Sequence, residues 1–345
     1  MTAPSADARI EGLIRKAASD ARSGEVLWRM RADDGRVDLT YGDPARPFFL
    51  ASATKLFVTS ILAQLRAEGR IDWDAPLSGY LPQLDLAGIL VVKGVDRSGL
   101  MTVREVMAHT SGLADYFEGP RRDGPSTFAR VLERDQGWNV HDVLDWTRAM
   151  PPATPGRGHY SDTGYQLLGA LIEAVDDRSF SDSVAARIAE PLGLACTYCF
   201  GPNDLDRYDE IAAIRVGATS PRFPLAMASV QADGGIVSTL ADGLAFLDAF
   251  FGGQLFPARL LDEMQADWHR VFFPLEYGTG IMRFRMPAVL TGLRRVPPLV
   301  GHSGASGVVM YRCHEKGLSV VGTVNQAQHR SMPYQLMMRA VLAAG

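Results

Sequence analysis

Lysine is nearly absent from this chain. Lys16, Lys55, Lys93 and Lys316 are the only four in 345 residues, and the remaining basic side chains are arginine. Arg cannot give up its proton, whereas a buried Lys can be tuned to do so, so a lysine in an apolar segment stands out. Cysteine is scarce too: three residues cannot form a closed set of disulfides. Cys196-Thr-Tyr-Cys199 has no second pair to complete a zinc site and reads as two small buried thiols. The seven histidines are scattered without ligand spacing, so neither a metal nor a cofactor is expected. A large excess of either charge is lacking as well, with 35 basic and 39 acidic side chains. A net charge of −4 and a pI near 6.0 exclude the basic footprint of a nucleic-acid binder. No apolar run approaches membrane-spanning length, so no membrane insertion is expected. The stretch from Met1 to Ile10 lacks the basic and apolar regions of a signal peptide. The expected location is therefore cytoplasmic, or periplasmic if a leader has been removed. A Gly-x-Ser-x-Gly pentapeptide is absent also, Gly301-His-Ser-Gly-Ala305 failing at its last position, which disfavours an α/β-hydrolase.

What remains is a chain long enough for a large core and two domains. Ala8–Ala21 reads as a helix with Ile10, Leu13, Ile14 and Ala17 on one face. Alternating residues in 25–30 and 36–41 flank Asp33-Asp-Gly35 and predict a β-hairpin. Residues 76–224 carry mostly helical patterns and many Pro/Gly breaks. Thr102-Val-Arg-Glu105 is a capping box, and helices are predicted at Val140–Ala149 and Thr163–Val175. Thr239-Leu-Ala-Asp242 is a second capping box, opening a helix through Phe250. Strands are predicted at Gly278–Phe284, Leu299–His302, Val308–Cys313 and Leu318–Val324, then a helix over Met332–Ala344. Segments 115–125 and 270–277 read as loops that would shape a pocket. The predicted fold class is α/β (α+β), an antiparallel sheet flanked by the N- and C-terminal helices. Its sheet domain would comprise residues 1–75 plus 225–345, with a mainly helical domain, 76–224, inserted.

Three short motifs carry the chemistry. Ser52-Ala-Thr-Lys55 opens a helical pattern in which Leu56, Phe57, Ile61, Leu62 and Leu65 recur, stopped by Gly69. Ser52 then sits at a helix N-terminus, where N–H groups and the dipole favour developing negative charge. Residues three apart share a helix face, and an unprotonated Lys beside a hydroxyl can activate it as a nucleophile. Tyr160-Ser161-Asp162 lies at the next helix start, and a phenol beside an ammonium can have a lowered pKa and pass a proton onward. Tyr41-Gly-Asp43 fits that loose pattern equally, so the pattern alone carries little. His302-Ser303-Gly304 ends a strand, and Gly304-Ala-Ser-Gly307 lets backbone approach a ligand closely.

The ordered set Ser-x-x-Lys, Tyr-x-Asp and His-x-Gly resembles the serine β-lactamase and penicillin-binding-protein superfamily. Within it the chain is most similar to the branch of class C β-lactamases, D-alanyl-D-alanine carboxypeptidases and type-VIII esterases. Residues 69–74, 102–113, 160–169, 234–239 and 277–280 add to the likeness. The resemblance implies an acyl-enzyme on Ser52, with Lys55 and Tyr160 handling the proton. It also implies an oxyanion hole from the N–H groups of Ser52 and Ala305, and substrate contacts from Asp162, His302, Ser303 and Gly304. Two departures bear on substrate. Asp162 stands where β-lactam and peptide hydrolases usually have Asn, and a carboxylate cannot donate to a substrate carbonyl. His302 is a weaker cation than the Lys often found there. Together they predict a hydrolase of small esters or amides. The alternatives are a true β-lactamase or D,D-carboxypeptidase, and a ligand-binding scaffold without catalysis; the oligomeric state stays open.

Overall fold

The computed structural model describes residues 5–291 and 293–345. Its main sheet has eight strands, antiparallel throughout. The order across it is Asp38–Tyr41, Leu27–Ala32, Leu318–Thr323, Val308–Cys313, Leu299–Gly304, Met282–Phe284, Leu275–Tyr277 and His269–Phe272. Alternation along each strand sends side chains to two different layers. On one face Trp28, Met30, Tyr311 and Val320 pack against Ile10 and Ile14 of the helix Ala6–Ala18. Leu336, Met337, Ala340 and Val341 of the helix Ser331–Ala343 complete that layer. On the other face Val308, Met310 and Val321 join a larger core with Phe57, Leu240 and Phe246. The expected mixed architecture, with terminal helices covering an antiparallel sheet, is what the structure has.

The helix Thr54–Ala67 runs through that larger core and is buried on nearly every side, including Lys55, Phe57, Ser60 and Leu62. The Phe57 ring stacks on Phe246 with centroids 3.7 Å apart, and removing either aromatic ring would cost about 3–5 kcal/mol. A second, three-stranded sheet joins Phe48–Phe49, Ile236–Ser238 and Tyr198–Cys199. Its outer strand comes from the mostly helical stretch between 76 and 224, so the two parts of the chain share a sheet.

Several expectations are corrected. Residues 270–277 are not a loop but part of the hairpin His269–Phe272 with Leu275–Tyr277. The strand expected from Gly278 starts at Met282, because Gly280 turns with φ +80° and its carbonyl accepts a hydrogen bond from Thr59 Oγ1 at 2.8 Å. Thr239 caps its helix by accepting from the Asp242 N–H, but the Asp242 carboxylate is spent elsewhere, on the Cys196 N–H and Thr197 hydroxyl. Cys196 is exposed rather than buried; Cys199 and Cys313 are buried. Pro224–Gly234 is a helix that sequence patterning did not reveal, broken at Gln231 with φ +39°.

Candidate active site

Ser52 lies in the turn Ala51–Ala53, one residue after Ala51, whose φ of +46° is a left-handed conformation on a side-chain-bearing residue. Such a conformation costs about 1–3 kcal/mol and persists only where its surroundings over-determine it. Here they do. The Leu50 N–H donates to Ile236 O at 2.8 Å, the Ala53 N–H to Leu50 O at 3.1 Å, and the Ile236 N–H to Thr54 Oγ1 at 3.0 Å. From the far side the strand end at Gly304 presses in. A Cβ there would sit 2.5 Å from Leu50 O and 2.9 Å from Ala51 Cβ. Only glycine lets the Gly304–Ala305 backbone approach the serine turn this closely.

Lys55 follows Ser52 by one helical turn and has no exposed surface. Its Nζ donates to Asp162 Oδ1 and to Asp233 O, both at 2.7 Å. The ammonium also lies 5.1 Å from the Tyr160 ring centre and 5.0 Å from that of Tyr165. Two of its three donors are thus committed. The Ser52 side chain is near enough to the Tyr160 phenol to draw its titration down, and Lys55 lies against the same ring, so Ser52, Lys55 and Tyr160 come together.

The electrostatics differ from the simple expectation in one respect. Burial pushes the Tyr160 phenol well above its ordinary range, the Asp162 charge adds to this, and the nearby Ser52 side chain offsets only part. The phenol pKa is therefore raised, not lowered, because lost hydration and a nearby carboxylate outweigh the pull of Ser52. Burial also raises Asp162, against the pull of Lys55. Asp115 is pushed to about 8, first by burial and then by Asp162. Asp233 is raised well above its ordinary value for the same two reasons; its Oδ2 accepts from Tyr116 Oη at 2.8 Å and Gln166 Nε2 at 3.0 Å. Three buried carboxyls around one buried lysine cannot all be charged cheaply.

The late strand divides its residues between two faces. The imidazole of His302 is fully buried, its Nδ1 2.8 Å from Ser303 O and its Nε2 2.8 Å from Tyr277 Oη. Burial and Lys55 push its titration down to about 3. It is neutral, with both nitrogens engaged, so it is no cation for a substrate carboxylate. Ser303 points to the opposite face, bonding to the Tyr334 hydroxyl and to Met282 Sδ at 3.3 Å, so its hydroxyl is turned away from Ser52. Gly304 alone of this set meets the serine turn directly, with Ala305 next in line.

A family profile for beta-lactamase matches residues 16–344. The chain belongs to the beta-lactamase family. Esterase EstB of Burkholderia gladioli is 31% identical over 191 residues, covering 53% of this chain and 46% of that protein. Across the first curated relatives the chain spans roughly a third to just over half of their length. Among solved structures, D-amino acid amidase from Ochrobactrum anthropi SV3 superposes with a TM-score of 0.79 at 22% identity, over 99% of this chain and 98% of that one. A D-stereospecific amidohydrolase from Streptomyces gives a TM-score of 0.75 at 25% identity, over 95% and 97%. The structure brings together Ser52, Lys55, Tyr160 and Asp162, all expected from the sequence, and adds Asp233, Asp115, Tyr165 and Tyr277 around them. Tyr165 and Tyr277 lie inside the stretches 160–169 and 277–280, and Asp233 directly precedes Gly234-Gly235. Among the described residues no helix is long and apolar enough to cross a membrane, and no cluster of potential metal ligands occurs.

Proposed function

We propose that this chain is a serine hydrolase that forms an acyl-enzyme on Ser52 and acts on small esters or amides. The observation that carries the reading is the burial of Lys55 between Tyr160 and Tyr165, with the Ser52 side chain against the same phenol. As Ser52 Oγ attacks the substrate carbonyl carbon, its proton passes to Tyr160, which hands its own toward a neutral Lys55. A phenol held protonated by its surroundings suits a relay better than a standing base. Burial raises the Asp162 carboxyl above its ordinary range, and its Oδ1 lies 2.7 Å from Lys55 Nζ. The N–H groups of Ser52 and Ala305 would hold the oxyanion, each such donor contributing about 10²–10³ in rate. Collapse breaks the bond to the leaving group, which takes the proton from Tyr160. Water then enters by the same relay, and the acyl–Ser52 bond is hydrolysed.

Substrate preference follows from the same residues. Neutral, buried His302 supports neutral substrates over those ending in a carboxylate. Asp162 supports esters, which ask no donated hydrogen bond of it. The half-exposed ring of Phe272, 5.6 Å from the Tyr160 ring, supports an apolar substituent beside the reacting bond. Turnover of short p-nitrophenyl esters compared with a chromogenic cephalosporin tests this. Esters are expected to be far better substrates, and the reverse order would assign the chain to true β-lactam chemistry instead. Fluorophosphonate labelling that survives Ser52→Ala would remove the acyl-enzyme altogether.

A further inference from the structure

His109 ends the short helix Val103–Met107 after Ala108 and takes φ +56°, another left-handed position on a residue with a side chain. Its backbone and its ring grip the same loop from two points. The His159 N–H donates to His109 O at 2.8 Å, and the Ser161 N–H donates to His109 Nδ1 at 3.1 Å. Those two residues flank Tyr160. Between the two bonds the imidazole lies against the phenol ring, centroids 4.2 Å apart and planes tilted by 34°. On its other sides the ring meets Tyr277 at 4.4 Å and Tyr165 at 5.2 Å. A backbone N–H can only donate, so Nδ1 is the acceptor and the ring proton sits on Nε2. That Nε2 is buried and has no hydrogen-bond partner among the described residues. An orphaned donor is costly, and a site needing only apolar filling would be better served by Leu or Phe.

We propose that His109 is a positioning residue that fixes Tyr160 against Ser52 by bracketing its loop and packing its ring. The inference rests on the reading of Tyr160 as the proton relay. Two features fit it beyond the contacts. Burial and the Lys55 charge keep the imidazole neutral, so Nδ1 stays an acceptor through the working pH range. The surrounding loop is also zipped to the same segment, with the Ala153 N–H donating to Gly112 O at 2.9 Å and the Gly156 N–H to Thr110 O at 2.7 Å. Within that zipper the bonds at His159 and Ser161 are the ones that meet Tyr160's immediate neighbours.

The test uses His109→Gly and His109→Asn, both tolerant of a left-handed backbone, so the fold is expected to survive. Gly removes ring and acceptor; the Asn carbonyl can still accept from the Ser161 N–H. His109→Gly is expected to lower kcat on aryl esters by about 10- to 100-fold, as a misplaced catalytic group does, with KM within about twofold. The loss should grow as the leaving group becomes more basic, since Tyr160 must then protonate it. His109→Asn should show the same trend with a smaller loss. In a Tyr160→Phe background, His109→Gly should cost little more, because the group it positions is gone. Unchanged kcat, a loss independent of leaving group, or full additivity with Tyr160→Phe would overturn the proposal. If the Gly variant fails to melt cooperatively, the leaving-group trend of the Asn variant decides. Should Tyr160→Phe itself retain full activity, the relay reading fails and not merely the role of His109.

Discussion

Lys55 Nζ and Asp162 Oδ1 stand 2.7 Å apart, with the lysine fully buried and the carboxylate nearly so. They come from helices 107 residues apart in the chain. In the proposed chemistry the lysine must be neutral at the moment it receives a proton, and the partner that holds it decides how readily that happens.

Replacing Asp162 with Asn removes a charge and supplies a donor while keeping an acceptor for Lys55. Asp162 is among the groups that raise the Tyr160, Asp115 and Asp233 titrations, so all three should fall toward ordinary values. The ratio of cephalosporin to ester turnover is expected to rise by about tenfold, the discrimination carried by one well-placed hydrogen bond. Parallel rate measurements on the two substrates check it; an unchanged ratio removes Asp162 as the basis of ester preference.

Asp115 gives a pH dependence with a definite sign. Its carboxyl titrates near 8 in the folded chain against an ordinary 3.8. Between those values the folded state holds a proton that the unfolded state has released, so stability is greatest below the lower value and falls as pH rises through the upper one. Thermal melts from pH 5 to 8.5 should show this decline, and Asp115→Asn should flatten it. The variant is expected to start lower at pH 5, since the Asp115 oxygens accept from the N–H groups of Asp162, Phe117 and Glu118. The slope is the diagnostic.

Phe272 sits at the end of its strand with half its surface in solvent and one side on Tyr160. Phe272→Ala should leave acetyl esters nearly unaffected. For esters with a bulky apolar or aromatic substituent, KM should rise by about 10-fold, matching the 1–2 kcal/mol of a partly buried ring. An equal effect on small and bulky esters would place the substituent elsewhere.

Most of the framework was legible because it obeys simple periodicities. Val308–Cys313 and Leu318–Thr323 alternate cleanly, and the amphipathic terminal helices announce themselves. His269–Phe272 was not legible because both faces of that edge strand stay partly exposed, which erases the alternation. Pro224–Gly234 hid because its apolar residues follow no helical period and the helix breaks at Gln231. In the candidate site, Ser52, Lys55 and Tyr160 were named from short spacings, and the structure places them side by side. Asp115 has no such spacing and Asp233 only the glycine pair after it; each reaches the lysine's surroundings through long-range packing. The neutral state of His302 was equally hidden, since it depends on full burial and on Lys55, which lies far away in the chain.

The burial of the helix Thr54–Ala67 on nearly every side has a consequence for how this scaffold can change over generations. Almost any substitution around Ser52 and Lys55 disturbs packed neighbours, so the reacting centre offers few neutral steps. The hairpin His269–Phe272 with Leu275–Tyr277, by contrast, carries the exposed Phe272 and Phe273 at its tip and can accept replacement cheaply. New substrate ranges would accumulate at that rim, while the chemistry beneath it stays fixed.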